Sequence, residues 1–375
     1  MRHLSVFPPL IFLVSAMMAV ASARHVSLPR GASLIHLSPC GSSPGVVPAF
    51  VNSGWAHPNQ TSHATTAYIT QHGTGAHFDV DFAAVHNVVG DQEAVVIAPA
   101  FHVATAPRSR YYSPDKTLAW ADGEVTWAGG YDSVSPFASS CSSFRTYEAI
   151  LAALTDRSRF PALHTIVWAG HSAGASMVQR WSVLSPESAG HRTRYILANA
   201  PETTYFSDVR PREYDRTACP GAGRYPFQWT RQGGGMPRYV AERDGGGEEA
   251  AFRGWAGRDV TILIGDRDTE SRFPGGDEGC APRSQGGVNR RERNYAAWAY
   301  SVLLAGAGAR EDVSRYTGYD YLKSRVSPVG GVTFRHKVCV MGGVGHDATA
   351  VYASQCGRDA LFDRGLKASV GASYP

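Results

Sequence analysis

The stretch Leu163-His164-Thr165-Ile166-Val167-Trp168-Ala169-Gly170-His171-Ser172-Ala173-Gly174-Ala175-Ser176-Met177-Val178-Gln179-Arg180-Trp181 decides the fold. Its first part is nearly continuous in apolar and β-branched residues, as in a strand buried on both faces. Residues 173–184 read as a helix. Between them stands Gly170-x-Ser172-x-Gly174. A sharp strand-to-helix turn there lifts the Ser172 hydroxyl clear of the backbone. The flanking glycines are needed because side chains would clash where the two elements close in. The turn also sets Ser172 at a helix N-terminus, where backbone N–H groups favour developing negative charge. Context carries this reading, because the pattern alone recurs: Gly41-Ser42-Ser43-Pro44-Gly45 matches too. That copy lies in a Pro/Gly loop without a strand before it or a helix after it, so Ser43 is a decoy.

Working outward, the same rhythm repeats. Strand-like runs occur at 46–51, 66–70, 94–98, 165–169, 195–198, 260–264 and 334–341. Helical patterns fall at 144–154, 173–184 and 295–304; in the first, Phe144, Tyr147, Ile150, Leu151 and Leu154 share one face. Alternation of strand and helix predicts an α/β protein with a mostly parallel central sheet flanked by helices. Two regions break the rhythm. Residues 102–139 are rich in Tyr, Trp, Gly and Ser, and residues 203–258 mix Pro, Gly and aromatic residues. Both read as loop-rich insertions in one domain spanning 24–375, since each is short for a core of its own. Tyr111, Tyr112, Trp120, Trp127, Tyr131 and Phe137 line a cleft or simply pack the first insertion.

A serine hydroxyl needs a base and an acid. Val338-Cys339-Val340-Met341 reads as a strand, and the Gly-rich loop after it ends in His346. Glycines let that loop swing an imidazole over Ser172. His336 lies within the strand and is the poorer candidate. Residues 261–264 form an earlier strand, followed by Gly265-Asp266-Arg267-Asp268. Asp268 is the expected acid because the turn carries it past the strand end; Asp266 is the alternative. The developing oxyanion needs two N–H donors. Ala173, directly after the serine, supplies one. Thr74, in the loop His72-Gly73-Thr74-Gly75 after an early strand, supplies the other, with Gly73 as fallback.

These residues together resemble the α/β-hydrolase superfamily: His72-Gly73 after an early strand, Gly170-His171-Ser172-Ala173-Gly174 at the elbow, Asp268 and His346 after late strands. The resemblance covers roughly residues 32–365. Residues 198–201, 285–293 and 345–348 also look like those of secreted microbial serine esterases and lipase-like hydrolases. The resemblance implies a serine hydrolase acting on carboxylic esters, small or polymeric, through Ser172, Asp268 and His346, without metal or organic cofactor. The 203–258 insertion lies where such folds often carry a lid. An amidase or peptidase with the same triad is the first rival. A non-catalytic secreted binding protein on a hydrolase fold is the second.

Composition sets the surroundings. The 375 residues are 43% hydrophobic and 18% charged, which excludes overall disorder. A net charge of +4 is too small and too dispersed for a nucleic-acid binder. Arg290, Arg291 and Arg293 form a basic run before a helix, expected on a solvated or ion-paired face. There is no phosphate-binding Gly-Lys-Ser/Thr loop and no His-Glu-x-x-His zinc motif. Arg2, an apolar run over 10–20 and Ala21-Ser22-Ala23 read as a signal peptide over 1–23, too short for a stable membrane anchor. Secretion makes the six cysteines, Cys40, Cys141, Cys219, Cys280, Cys339 and Cys356, candidates for three disulfides. Fifteen pairings are open, with chain proximity favouring Cys339 with Cys356 and Cys219 with Cys280. Asn59-Gln60-Thr61 is a glycosylation sequon in a polar, exposed-looking stretch.

Overall fold

The computed structural model describes residues 25–366 except 42–44, 57–62, 92, 106–108, 123–124, 138, 271–278, 308–312 and 314–315. The signal peptide, the decoy Ser43 and the Asn59 sequon lie outside the described residues.

Seven of the ten strands among the described residues fall on the apolar runs expected to form them. The ten are β1 (Ser33–Leu37), β2 (Val47–Val51), β3 (Thr66–Gln71), β4 (Ala94–Pro99), β5 (His102–Val103), β6 (Ala119–Trp120), β7 (Thr165–His171), β8 (Arg192–Ala198), β9 (Asp259–Gly265) and β10 (Lys337–Met341). Eight of them make one sheet in the order β1-β2-β4-β3-β7-β8-β9-β10, and β5 pairs with β6 apart from it. From β4 to β10 every pair is parallel, while β1–β2 and β2–β4 are antiparallel. β4 is buried along its whole length and β7 at six of its seven positions, which is why both read as unbroken apolar runs.

Three boundaries differ from the sequence reading, each for a visible reason. β1 was not expected. It is an edge strand, half-exposed, and Ser-Leu-Ile-His-Leu carries no strong alternation. β10 starts at Lys337, not 334: Arg335 N–H donates to Ala256 O, and His336 Nε2 bonds Trp255 O, so these residues bond the end of a helix instead of the sheet. The helix expected at 295–304 spans Arg290–Leu304. Asn289 caps it by accepting the Glu292 N–H at 3.0 Å, and the Glu292 carboxylate accepts the Val288 N–H. The basic run therefore lies inside the helix, not before it. Arg290 and Arg293 are buried, so the solvated face expected does not form, while Arg290 is ion-paired, with Asp268, as the other half of that expectation has it.

The insertion regions pack into the core. Trp120 and Trp127 are fully covered, and the Trp127 ring stacks on Phe101 with centroids 5.7 Å apart. Phe137 is exposed. Residues 203–258 carry the helices Arg238–Arg243 and Gly247–Ala256, and bury Phe206, Trp229, Phe252 and Trp255. A buried ion pair, Arg180 Nη2 to Glu202 Oε1 at 3.2 Å, holds this region to the Ala173–Leu184 helix. The Arg180 Nε also donates to Thr204 Oγ1, and the Gln179 side chain bonds the Thr204 backbone in both directions.

Three disulfides join Cys40 to Cys141, Cys219 to Cys280 and Cys339 to Cys356. Both pairings favoured by proximity occur. Such a set fits an oxidising, extracellular compartment. No helix among the described residues is long and apolar enough to cross a membrane.

Candidate active site

The turn at Ser172 is as tight as its sequence demands. Ser172 has φ +58°, a left-handed conformation that ordinary residues avoid. A Cβ on Gly170 would lie 2.2 Å from Gly174 O, and one on Gly174 would lie 2.2 Å from Gln71 O. No side chain fits at either position. The strain is held by β7 on one side and the Ala173–Leu184 helix on the other.

Asp268 and His346 leave the ends of β9 and β10, which are neighbours in the sheet. His346 Nε2 lies 2.9 Å from Ser172 Oγ, and His346 Nδ1 lies 2.9 Å from Asp268 Oδ2. With an ionised carboxylate, Nδ1 carries the proton and Nε2 accepts the serine hydroxyl. Asp268 is buried, and Ser172 is 8% exposed. Asp266 does different work: its carboxylate accepts the Gly343 N–H at 2.7 Å and so ties down the loop that carries the histidine. The Arg267 N–H donates to Val344 O in the same loop.

Three contributors were not found from sequence. Asn199, at φ +50°, accepts the Gly265 N–H at 2.7 Å and donates to Gly345 O at 3.0 Å. It joins the ends of β8 and β9 to the residue before His346. An Asn directly after the 195–198 strand run, a residue type that tolerates positive φ, was the signal available in the sequence. His171 lies with its ring centroid 4.6 Å from that of His346. Burial, helped by His346 and by Arg290, holds its imidazole well below the ordinary histidine range, so it stays neutral. Arg290 Nη1 lies 3.4 Å from Asp268 Oδ1.

The loop after β3 approaches the serine from the other side. A Cβ on Gly73 would lie 2.9 Å from Ser172 Cβ. His72 fixes that loop. Its Nε2 accepts the Phe101 N–H at 2.9 Å, so the proton sits on Nδ1, which donates to Gly73 O at 2.6 Å. The Gly73 carbonyl is thereby turned toward His72. Across a trans peptide the Thr74 N–H points the opposite way. Ala173 opens its helix, where first-turn N–H groups have no partner within the helix. Among the described residues, no cluster of His, Cys, Asp or Glu is arranged to hold a metal ion.

Neutral buried histidines give the molecule an acid limit. Burial lowers His72 to about 3, and His102 and His336 each to about 4. The unfolded chain binds protons at these sites from about pH 6.5 downward, and the folded chain does not. Stability is therefore full above about pH 6.5 and is lost as pH falls toward 3–4. At pH 5 each of the three costs about 2 kcal/mol. Burial raises Asp81, which acts in the opposite sense and offsets part of the loss. Calorimetry at pH 7 and pH 5 is expected to show Tm falling by several degrees; an unchanged Tm would contradict neutral buried imidazoles.

Two solved structures share this architecture. Poly(aspartic acid) hydrolase-1 from Sphingomonas sp. KT-1 is 19% identical, with 86% of this chain and 96% of that one covered and a TM-score of 0.52. LpqC, a poly(3-hydroxybutyrate) depolymerase from Bordetella parapertussis, is 18% identical, with 90% and 92% covered and a TM-score of 0.54. The fold is that of the α/β-hydrolases. No protein-family model matches the sequence, and no curated protein does. On an α/β-hydrolase fold the ends of β7, β9 and β10 lie at one edge of the sheet, the edge to which Ser172, Asp268 and His346 belong.

Proposed function

We propose that the protein is a secreted serine hydrolase that cleaves carboxylic esters through an acyl-enzyme. The observation that carries this reading is the unbroken pair of 2.9 Å contacts from Ser172 Oγ through His346 to Asp268. His346 Nε2 takes the hydroxyl proton as Ser172 Oγ attacks the ester carbonyl. Asp268 holds the imidazole in its Nδ1–H tautomer and stabilises the imidazolium. The N–H groups of Ala173 and Thr74 receive the oxyanion. Collapse of the tetrahedral adduct expels the alcohol, protonated by His346. Water, deprotonated by the same imidazole, then attacks the acyl-enzyme and releases the acid.

An ester asks least of this apparatus, because an alkoxide leaves with less help than an amine. The fold occurs with both kinds of bond: poly(3-hydroxybutyrate) is a polyester and poly(aspartic acid) a polyamide. Fluorophosphonate labelling of the purified protein, with mapping of the adduct, tests the reading. Label is expected on the peptide bearing Ser172, and not after His346→Ala. A folded protein that takes no label would sink it. Initial rates on acyl esters and on matched amides then separate esterase from amidase.

A further inference from the structure

We propose that Arg290 is a positioning residue that sets the pH range of this site by compensating the charge of Asp268. The inference rests on the serine-hydrolase reading and deepens it. Asp268 uses its two oxygens differently: Oδ2 faces His346 Nδ1 at 2.9 Å, and Oδ1 faces Arg290 Nη1 at 3.4 Å. Asp268 and Arg290 are 1% and 2% exposed, so water screens their interaction little. The backbone reinforces the pairing, since the Arg291 N–H donates to Asp268 O at 3.1 Å. Arg290 comes from the first turn of the Arg290–Leu304 helix, whose start is fixed by the Asn289 cap.

The consequence follows from charge counting. With His346 protonated, the Asp268–His346 pair carries no net charge; in the form that accepts the serine proton it carries one negative charge. A buried cation beside the pair favours the negative form. Arg290 therefore keeps the base competent at lower pH than an uncompensated buried carboxylate would allow. This holds whichever group of the pair carries the proton. The other charged and titratable groups near the pair are common to wild type and to every Arg290 variant, so the comparison isolates Arg290. His171, against the His346 ring, is neutral. Asp266 accepts the Gly343 N–H, and Asp347 caps the next helix through the Ala350 N–H. Arg267 adjoins Gly345 through its backbone.

The test is the second-order rate of fluorophosphonate labelling at Ser172 across pH, on wild type, R290K and R290Q, read where each variant's circular dichroism is native. R290Q is expected to move the acidic limb upward by about one pH unit. That is about ten-fold slower labelling on the limb and little change at high pH. R290K keeps the charge and is expected to move the limb by less than half as much. If R290Q does not fold, R290M, whose apolar side chain suits a buried site, is read in its place. A loss of rate equal at every pH, with the limb unmoved, overturns the proposal and leaves Arg290 a structural residue. A wild type that takes no label at any pH overturns instead the assignment of Ser172, and the tuning with it.

Discussion

Under the proposed function, Ser172→Ala is expected to lower kcat on esters by about 10⁴-fold or more and to leave the melting temperature within a few degrees of wild type. The activity loss follows from removing the hydroxyl oxygen that lies 2.9 Å from His346 Nε2. The fold survives because alanine keeps the Cβ, and the left-handed backbone at this position is held by β7 and the Ala173–Leu184 helix, which are unchanged. His346→Ala is expected to cost a similar factor. The double variant costs little beyond either single one, because the two residues act as a unit. Steady-state rates on a soluble ester, with calorimetry on the same samples, check both halves. Retained activity in Ser172→Ala would mean that another group carries the nucleophile.

Asp268→Asn has the next largest effect and separates two roles. An asparagine can donate its amide N–H to His346 Nδ1, which reverses the tautomer and turns Nε2 from acceptor to donor. A fall in kcat of about 10³- to 10⁴-fold is expected. Stability falls too, on the order of 3 kcal/mol, since the change removes the acid of an ion pair that is 1% and 2% exposed. Asp266→Asn is the matched control. It faces Gly343, not the imidazole, and is expected to keep kcat within about ten-fold. Equal losses in the two variants would reassign the acid.

Much of this was legible in the sequence because the elbow is built from local constraints. Gly170 and Gly174 have no room for a side chain, and the strand and helix around Ser172 announce themselves by apolar period. All seven expected strands occur, and Asp268 and His346 follow two of them. What was not legible depends on contacts between distant residues. Asn199 reaches Gly345 across 146 positions, and nothing near Asn199 names its partner. Arg290 sat in a basic run of the kind that ordinarily faces water, and only the close packing of its helix against β9 turns it inward. The missing turns of that helix were readable, in Asn289 and Glu292, but apolar periodicity begins only at Tyr295.

The buried Arg180–Glu202 pair bears on how the 203–258 region can move. The start of that region is bolted to the Ala173–Leu184 helix by a guanidinium and an amide that an outward swing would strip of their partners. Residues 202–204 are therefore a fixed anchorage, and any opening of the region has to pivot beyond Thr204.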